Sequence, residues 1–175
     1  MICSILGCGQ TSKLWNGEGY SLGVNDVWRY GIITDRLIVV NSLTKWQDRR
    51  KVVLDSTPKD GLYSMIASFN HHPNYKHIGT MQRWRPNRNG IKPGILYCSS
   101  TSPFIALSMA HNLGYKEIVL YGCDLVDHPN VKGDSLKREV MQFDSFCKAL
   151  LKEGTNVYLG SEFGALKDYL PVWKP

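Results

Sequence analysis

Glu117-Ile118-Val119-Leu120-Tyr121-Gly122-Cys123-Asp124 is the stretch on which the fold turns. Its first five residues are apolar enough, and sufficiently β-branched and aromatic, to make a short buried strand, which Gly122 then stops. Just upstream, the spacing predicts a helix over Ser102–Asn112, with Ser102 as N-cap, Pro103 at the first helical position and Gly114 beyond its end. Downstream, Ser135–Glu153 has the periodicity of an amphipathic helix closed by Gly154, and Thr155–Leu159 forms a further strand. Helices alternating with strands imply βαβ units and a mostly parallel sheet.

The first half repeats the theme. Ile2–Leu6, Tyr20–Asn25 and Arg36–Asn41 read as strands, with a short helix over Thr11–Trp15 and a polar helical stretch over Thr44–Leu54. Between them and the decisive stretch, Leu62–Phe69, Lys76–Met81 and Ile95–Cys98 are strand candidates and Gln82–Gly94 a loop. A short helix is expected at Ala165–Leu170. The 175 residues, without repeat or linker, suit one domain over 1–175. The expected class is α/β: a single Rossmann-like domain with a mostly parallel sheet flanked by helices.

Hydrophobic residues at 43% and charged residues at 21% argue for a packed core and against disorder. No apolar run approaches the ~18–20 residues of a membrane-spanning helix. With no secretory leader read at Met1–Cys8, the expected location is the cytoplasm. Cys3, Cys8, Cys98, Cys123 and Cys147 contain no CxxC pair, so reduced thiols are expected.

The net charge of +6 is concentrated. Residues 61–116 hold no acid, while Lys76, Arg83, Arg85, Arg88, Lys92 and Lys116 supply the whole basic surplus. Such a field attracts phosphates, on a nucleotide, a sugar donor or a nucleic acid. Within it, Gln82-Arg83-Trp84-Arg85-Pro86-Asn87-Arg88-Asn89 interleaves arginines with an aromatic. That loop has the chemistry to clamp phosphates, stack a base or cover a substrate, and Arg83, Arg85 and Arg88 are its candidate contacts.

Each strand ends in small or polar residues: Gly7-Cys8-Gly9-Gln10-Thr11-Ser12, Asn25-Asp26, Asn41-Ser42, Ser99-Ser100-Thr101-Ser102 and Gly122-Cys123-Asp124. In an open parallel sheet these ends share one edge, where ligands bind at the topological switch point. Gly7 and Gly9 allow backbone N–H groups to approach a phosphate, and Thr11 and Ser12 add hydroxyls, although neither the dinucleotide fingerprint nor the P-loop is complete. The Ser99–Ser102 hydroxyls at a helix N-terminus form an anion or carboxylate site. His71-His72 lacks further ligands at zinc spacing, so no metal site is expected. His128, in the Asp124–Gly133 loop, is placed to serve as a general base.

Ser100–Leu125 resembles the central motif of bacterial lipooligosaccharide sialyltransferases, with its Thr-Ser helix start, Gly114-Tyr115-Lys116-Glu117-Ile118 strand entry and Gly122-Cys123-Asp124 strand exit. It is also similar to motility-accessory-factor and hydroxymethylpterin-diphosphokinase-like proteins. Gly7–Ser12 resembles their amino-terminal glycine element, and Gly23-Val24-Asn25 and Val39-Val40-Asn41 their asparagine-ended strands. The resemblance implies a Rossmann-like glycosyltransferase type working without bound metal. It carries Asn25, Asn41, Thr101, Ser102, Gly122 and Asp124 into contact with the nucleotide sugar, and Gly7, Gly9, Gln10, Thr11 and Ser12, read from the turn itself, complete the expected nucleotide- and donor-binding set.

Three functions follow as expectations. The first is a small glycosyltransferase using a nucleotide-activated sugar, CMP-linked, with no cofactor and His128 as base. The second is diphosphoryl transfer from ATP, with Asp26, Asp35 and Asp124 as Mg²⁺ ligands. The third is a non-catalytic nucleotide- or nucleic-acid-binding protein using the acid-free 61–116 surface.

Overall fold

Alternating apolar residues set the sheet: in the first strand Cys3 and Ile5 enter one hydrophobic cluster while Leu6 enters another on the opposite face. The computed structural model describes residues 1–40, 60–65, 73–86, 90–126 and 131–175. Its strands among those residues are β1 (Ile2–Leu6), β2 (Tyr20–Val24), β3 (Arg36–Val39), β4 (Leu62–Ser64), β5 (Tyr75–His77), β6 (Met81–Arg83), β7 (Leu96–Cys98), β8 (Glu117–Tyr121) and β9 (Asn156–Leu159). Two α-helices, α1 (Ser102–Asn112) and α2 (Asp134–Lys152), and 3-10 turns at Gln10–Leu14 and Val27–Tyr30 complete the described elements.

Seven strands form a parallel sheet in the order β5-β4-β3-β2-β1-β8-β9, and β6 and β7 pair in a second, two-stranded sheet. The chain starts in the middle, steps outward from β1 to β5, and returns to β8 on the other side of β1. The switch point therefore lies between β1 and β8, where Leu6 and Tyr121 are partners. This is the α/β Rossmann-like domain expected.

Helix α1 is buried nearly all round, because it packs against β7 as well as β1 and β2. Helix α2 buries one stripe (Val140, Phe143, Phe146, Cys147, Leu150). The helices meet through Phe104, whose ring lies 4.7 Å from Phe146 and 5.1 Å from Phe143. Among the described residues no helix is long and apolar enough to cross a membrane.

Several local expectations change. Thr101, not Ser102, is the N-cap residue of α1, and no side chain caps that end. The Gln82–Gly94 stretch is not all loop: Met81–Arg83 is β6, paired with β7. Lys76–Met81 is instead split between β5 and β6 by Ile78, which the core buries. Ala165–Leu170 forms successive turns rather than a helix, with Tyr169 N and Leu170 N both donating to Leu166 O. The strands at Tyr20 and Arg36 end at Val24 and Val39, and the one at Leu62 ends at Ser64. The polar stretch Thr44–Leu54 lies outside the described residues.

Candidate functional site at the carboxyl edge

At the switch point the two strand ends are locked together. Gly7 N donates to Tyr121 O (2.7 Å) and Gly9 N to Gly122 O (2.9 Å). A Cβ on Gly7 would sit 2.1 Å from Gly122 O, and one on Gly9 would sit 2.3 Å from Asp124 Oδ2. Gly122 adopts φ 63°, and a Cβ there would meet Ser12 Oγ at 2.1 Å. Gly7 is thus required by close approach of backbone to backbone, and Gly9 and Gly122 by the side chains as well as the backbone packed against them. The N–H groups of Gly7 and Gly9 are consumed within the fold.

The hydroxyls behind them are also committed. Thr11 Oγ1 donates to Asp124 Oδ1 and accepts from Gly122 N (2.7 Å), and Ser12 Oγ donates to Gly7 O (2.7 Å). Ser12 is fully buried. Among the described residues, Asp124 Oδ2 receives only a long contact from Thr11 N, 3.4 Å, so it keeps capacity for another donor. Gln10 and Cys8, beside this oxygen's glycine neighbour, are exposed.

Asn25 follows β2 at the same edge in the left-handed region, φ 48°, a conformation asparagine tolerates better than most residues. Its Nδ2 donates to Ser102 Oγ (2.9 Å), which ties β2 to the start of α1. Its Oδ1 is buried and has no partner among the described residues. Turning the amide round would leave Nδ2 over instead, so one polar atom of Asn25 is unsatisfied either way.

Asp26, next in line, is ion-paired with Arg29, and burial holds its carboxyl above the usual range against that arginine. Cys8 is exposed as a residue, yet its thiol donates to Val24 O (3.3 Å), and desolvation of the sulfur pushes it up to about 11. It is therefore a poor nucleophile at neutral pH.

The Ser99–Ser102 cluster is the carboxylate site that its hydroxyls imply, but the carboxylate is the chain's own. Glu139 of α2, 1% exposed, accepts from Ser99 Oγ, from Ser100 N (3.0 Å) and from Thr101 Oγ1 (2.6 Å). Thr101's hydroxyl is accordingly spoken for. Sequence reasoning missed Glu139, although its signal is visible: a lone charge on the apolar stripe between Leu136 and Phe143.

Arg83 closes β6 opposite Cys98, immediately before that turn, and is exposed, as is Arg85. Trp84 between them is not a base-stacking side chain. It is 3% exposed, donates Nε1–H to Ser145 Oγ (2.9 Å) and packs edge-on to Tyr97 and Phe146. Asp35 stands apart from Asp26 and Asp124: it precedes β3 at the opposite edge and accepts from Ser21 N and Oγ. The three aspartates offered as Mg²⁺ ligands do not converge. Asn41, Arg88 and His128 lie outside the described residues.

The same arrangement of strands is found in solved sialyltransferases. The sialyltransferase CstII from Campylobacter jejuni, in complex with the substrate analogue CMP-3FNeuAc, matches with TM-score 0.60 and 12% identity over 98% of this chain and 84% of that one. The α-2,3-sialyltransferase from Campylobacter jejuni in apo form matches with TM-score 0.61 and 13% identity, over 99% and 80%. A sialyltransferase CST-II complex with trisaccharide acceptor and CMP gives 0.57 and 10%, over 98% and 86%. This chain has the sialyltransferase fold. That bears out the sialyltransferase-like fold which the sequence resemblance implies. No family model matches the sequence, and no curated protein does.

Proposed function

We propose that this chain is a small glycosyltransferase-like protein that takes a nucleotide-activated sugar, CMP-linked, at the carboxyl edge between β1, β2 and β8, without a bound metal. The unsatisfied buried amide of Asn25 carries the reading. A buried polar atom without a partner costs about 1–3 kcal/mol, and its position at the ligand edge gives it a use: a ligand hydroxyl or amine completes it. The neighbours that share the fold include complexes with CMP, with a CMP-sugar analogue and with an acceptor trisaccharide.

Roles follow from which groups remain open. Asp124 Oδ2 receives a ribose hydroxyl, and Asn25 and Gln10 contact the donor. Arg83 and Arg85, with Arg88 beyond them, stabilise negative charge on the leaving nucleotide phosphate. His128, four residues after Asp124, deprotonates the acceptor hydroxyl. Asn41, two residues beyond Val39 in the sequence, joins the donor contacts. Gly7, Gly9, Gly122, Thr11 and Ser12 shape the edge, and Thr101 and Ser102 hold α1 against it.

Calorimetric titration with CMP, UDP and ATP, each with EDTA or with Mg²⁺, tests the proposal. CMP binding in EDTA, weakened at least about tenfold in Asn25→Gly, is expected; glycine keeps the left-handed backbone and removes only the amide. Binding of ATP alone, and only with Mg²⁺, would transfer the protein to diphosphoryl chemistry. No response to any nucleotide would sink the enzyme readings.

A further inference from the structure

The opposite edge of the sheet holds a feature the nucleotide reading does not use. Arg36, Tyr20 and Tyr63 project to the same face from β3, β2 and β4, as the pairings Leu22↔Arg36 and Ile38↔Tyr63 require. The Arg36 guanidinium carbon lies 5.6 Å from the Tyr20 ring centre and 5.0 Å from that of Tyr63. Lys76 of β5, the register partner of Tyr63, places its ammonium 5.6 Å from the same ring. Two cations therefore lie against one ring.

Neither has an acidic partner among the described residues. Asp60, which lines the same cavity, accepts from the Tyr20 hydroxyl at 2.8 Å, and Asp35 is held by Ser21. Arg36 Nε is buried with no hydrogen-bond partner among the described residues. Both cations line a polar cavity of about 440 Å³, together with Asp60, Gly61 and Asn74. That volume is in the range of small-molecule sites, roughly 300–1,000 Å³.

Like charges gathered on one ring repel, and a buried guanidinium N–H left unpaired is costly. One ligand relieves both: a dianion with several acceptor oxygens placed between Arg36 and Lys76. We propose that this cavity is a second site, for a phosphate-bearing small molecule such as a sugar phosphate. The flat guanidinium, held over two tyrosine rings, presents its N–H edge with little entropy left to lose, and Lys76 adds a mobile point charge. A phosphate monoester near neutral pH supplies almost two charges and three acceptors. The site stands at the amino ends of β3–β5, so it is independent of the carboxyl-edge nucleotide site.

The test is a two-dimensional amide NMR titration of the full chain with inorganic phosphate and with glucose 6-phosphate, at fixed ionic strength against chloride. Saturable shifts at Gly61, Asn74 and Lys76 are expected, with glucose 6-phosphate binding the tighter. Arg36→Gln should weaken binding more than about tenfold and the exposed-residue change Lys76→Gln about threefold, while Asp124→Asn leaves it unchanged. Absence of saturable binding overturns the proposal. So does binding that maps elsewhere or survives Lys76→Gln intact, which decides the matter even if Arg36→Gln fails to fold.

Discussion

Two buried carboxylates grip the hydroxyls of strand ends in this protein, and they differ in what they leave over. Asp124 follows β8 and reaches the end of neighbouring β1: one oxygen takes Thr11's hydroxyl, while the other has, among the described residues, only a 3.4 Å contact. Glu139 arrives from α2 and is filled by Ser99, Ser100 and Thr101. The first carboxylate is 8% exposed, with Gln10 and Cys8 exposed nearby; the second is 1% exposed. Similar chemistry thus yields an edge with spare valence in one place and a closed clamp in the other. Spare valence, not the hydroxyls alone, is what sets the proposed ligand edge apart.

The comparison breaks first at the glycines that let Asp124 approach. Gly7→Ala should cost on the order of 4 kcal/mol or abolish folding, since the new Cβ would sit 2.1 Å from a backbone oxygen that cannot move alone. Gly79→Ala, with nothing within 4 Å, should change urea unfolding by less than about 0.5 kcal/mol. Equal midpoints for the two variants would show that β1 and β8 are not locked as described.

Removing the clamp comes next. Glu139→Ala deletes an acceptor of three hydrogen bonds and leaves Thr101's hydroxyl buried without a partner, so a loss of about 3 kcal/mol is expected in denaturant unfolding. Glu139→Gln keeps one carbonyl oxygen and should lose about half as much. A Glu139→Ala variant as stable as the parent would mean that the clamp does not hold the 99–101 turn.

The contrast also explains what the sequence discloses. Strands β1, β2, β3, β8 and β9 and both helices are visible because apolar periodicity and glycine stops are local properties. The switch point follows from their order, and with it the setting of Gly7, Asn25 and Asp124. What stays hidden depends on distant partners. Thr101's hydroxyl is claimed from 38 residues downstream, and Gly7 spends its N–H on β8. β6, three residues long, is a strand only because β7 pairs with it. Arg36's vacant N–H is invisible too, since a lone arginine opening a strand gives no local sign of two tyrosines on neighbouring strands.

Asp124→Asn sharpens the comparison from the other side. The amide retains an acceptor for Thr11, so stability should fall by only about 1 kcal/mol, whereas CMP affinity in EDTA should drop at least about tenfold. Glu139→Gln should show the reverse order, with the larger loss in stability and the smaller in affinity. Calorimetry and unfolding on the same preparations measure both. Parallel losses in the two variants would erase the distinction between ligand edge and clamp.

The smallest effect separates Trp84 from the arginines that flank it. An aromatic between Arg83 and Arg85 has the composition of a stacking loop, but β6 turns its ring into the core beside Tyr97 and Phe146. Trp84→Phe keeps an aromatic in that space and loses one hydrogen bond to Ser145, whose hydroxyl still donates to Gln142 O at 2.9 Å. The expected cost is about 1 kcal/mol of stability, with nucleotide affinity within about twofold of the parent. The double variant Arg83→Gln, Arg85→Gln should do the opposite, sparing stability because both side chains are exposed and weakening CMP binding. If Trp84→Phe instead lowered CMP affinity as far as the arginine pair does, the indole would have to leave the core to meet the ligand, and the Glu139-side packing would no longer be the closed half of the comparison.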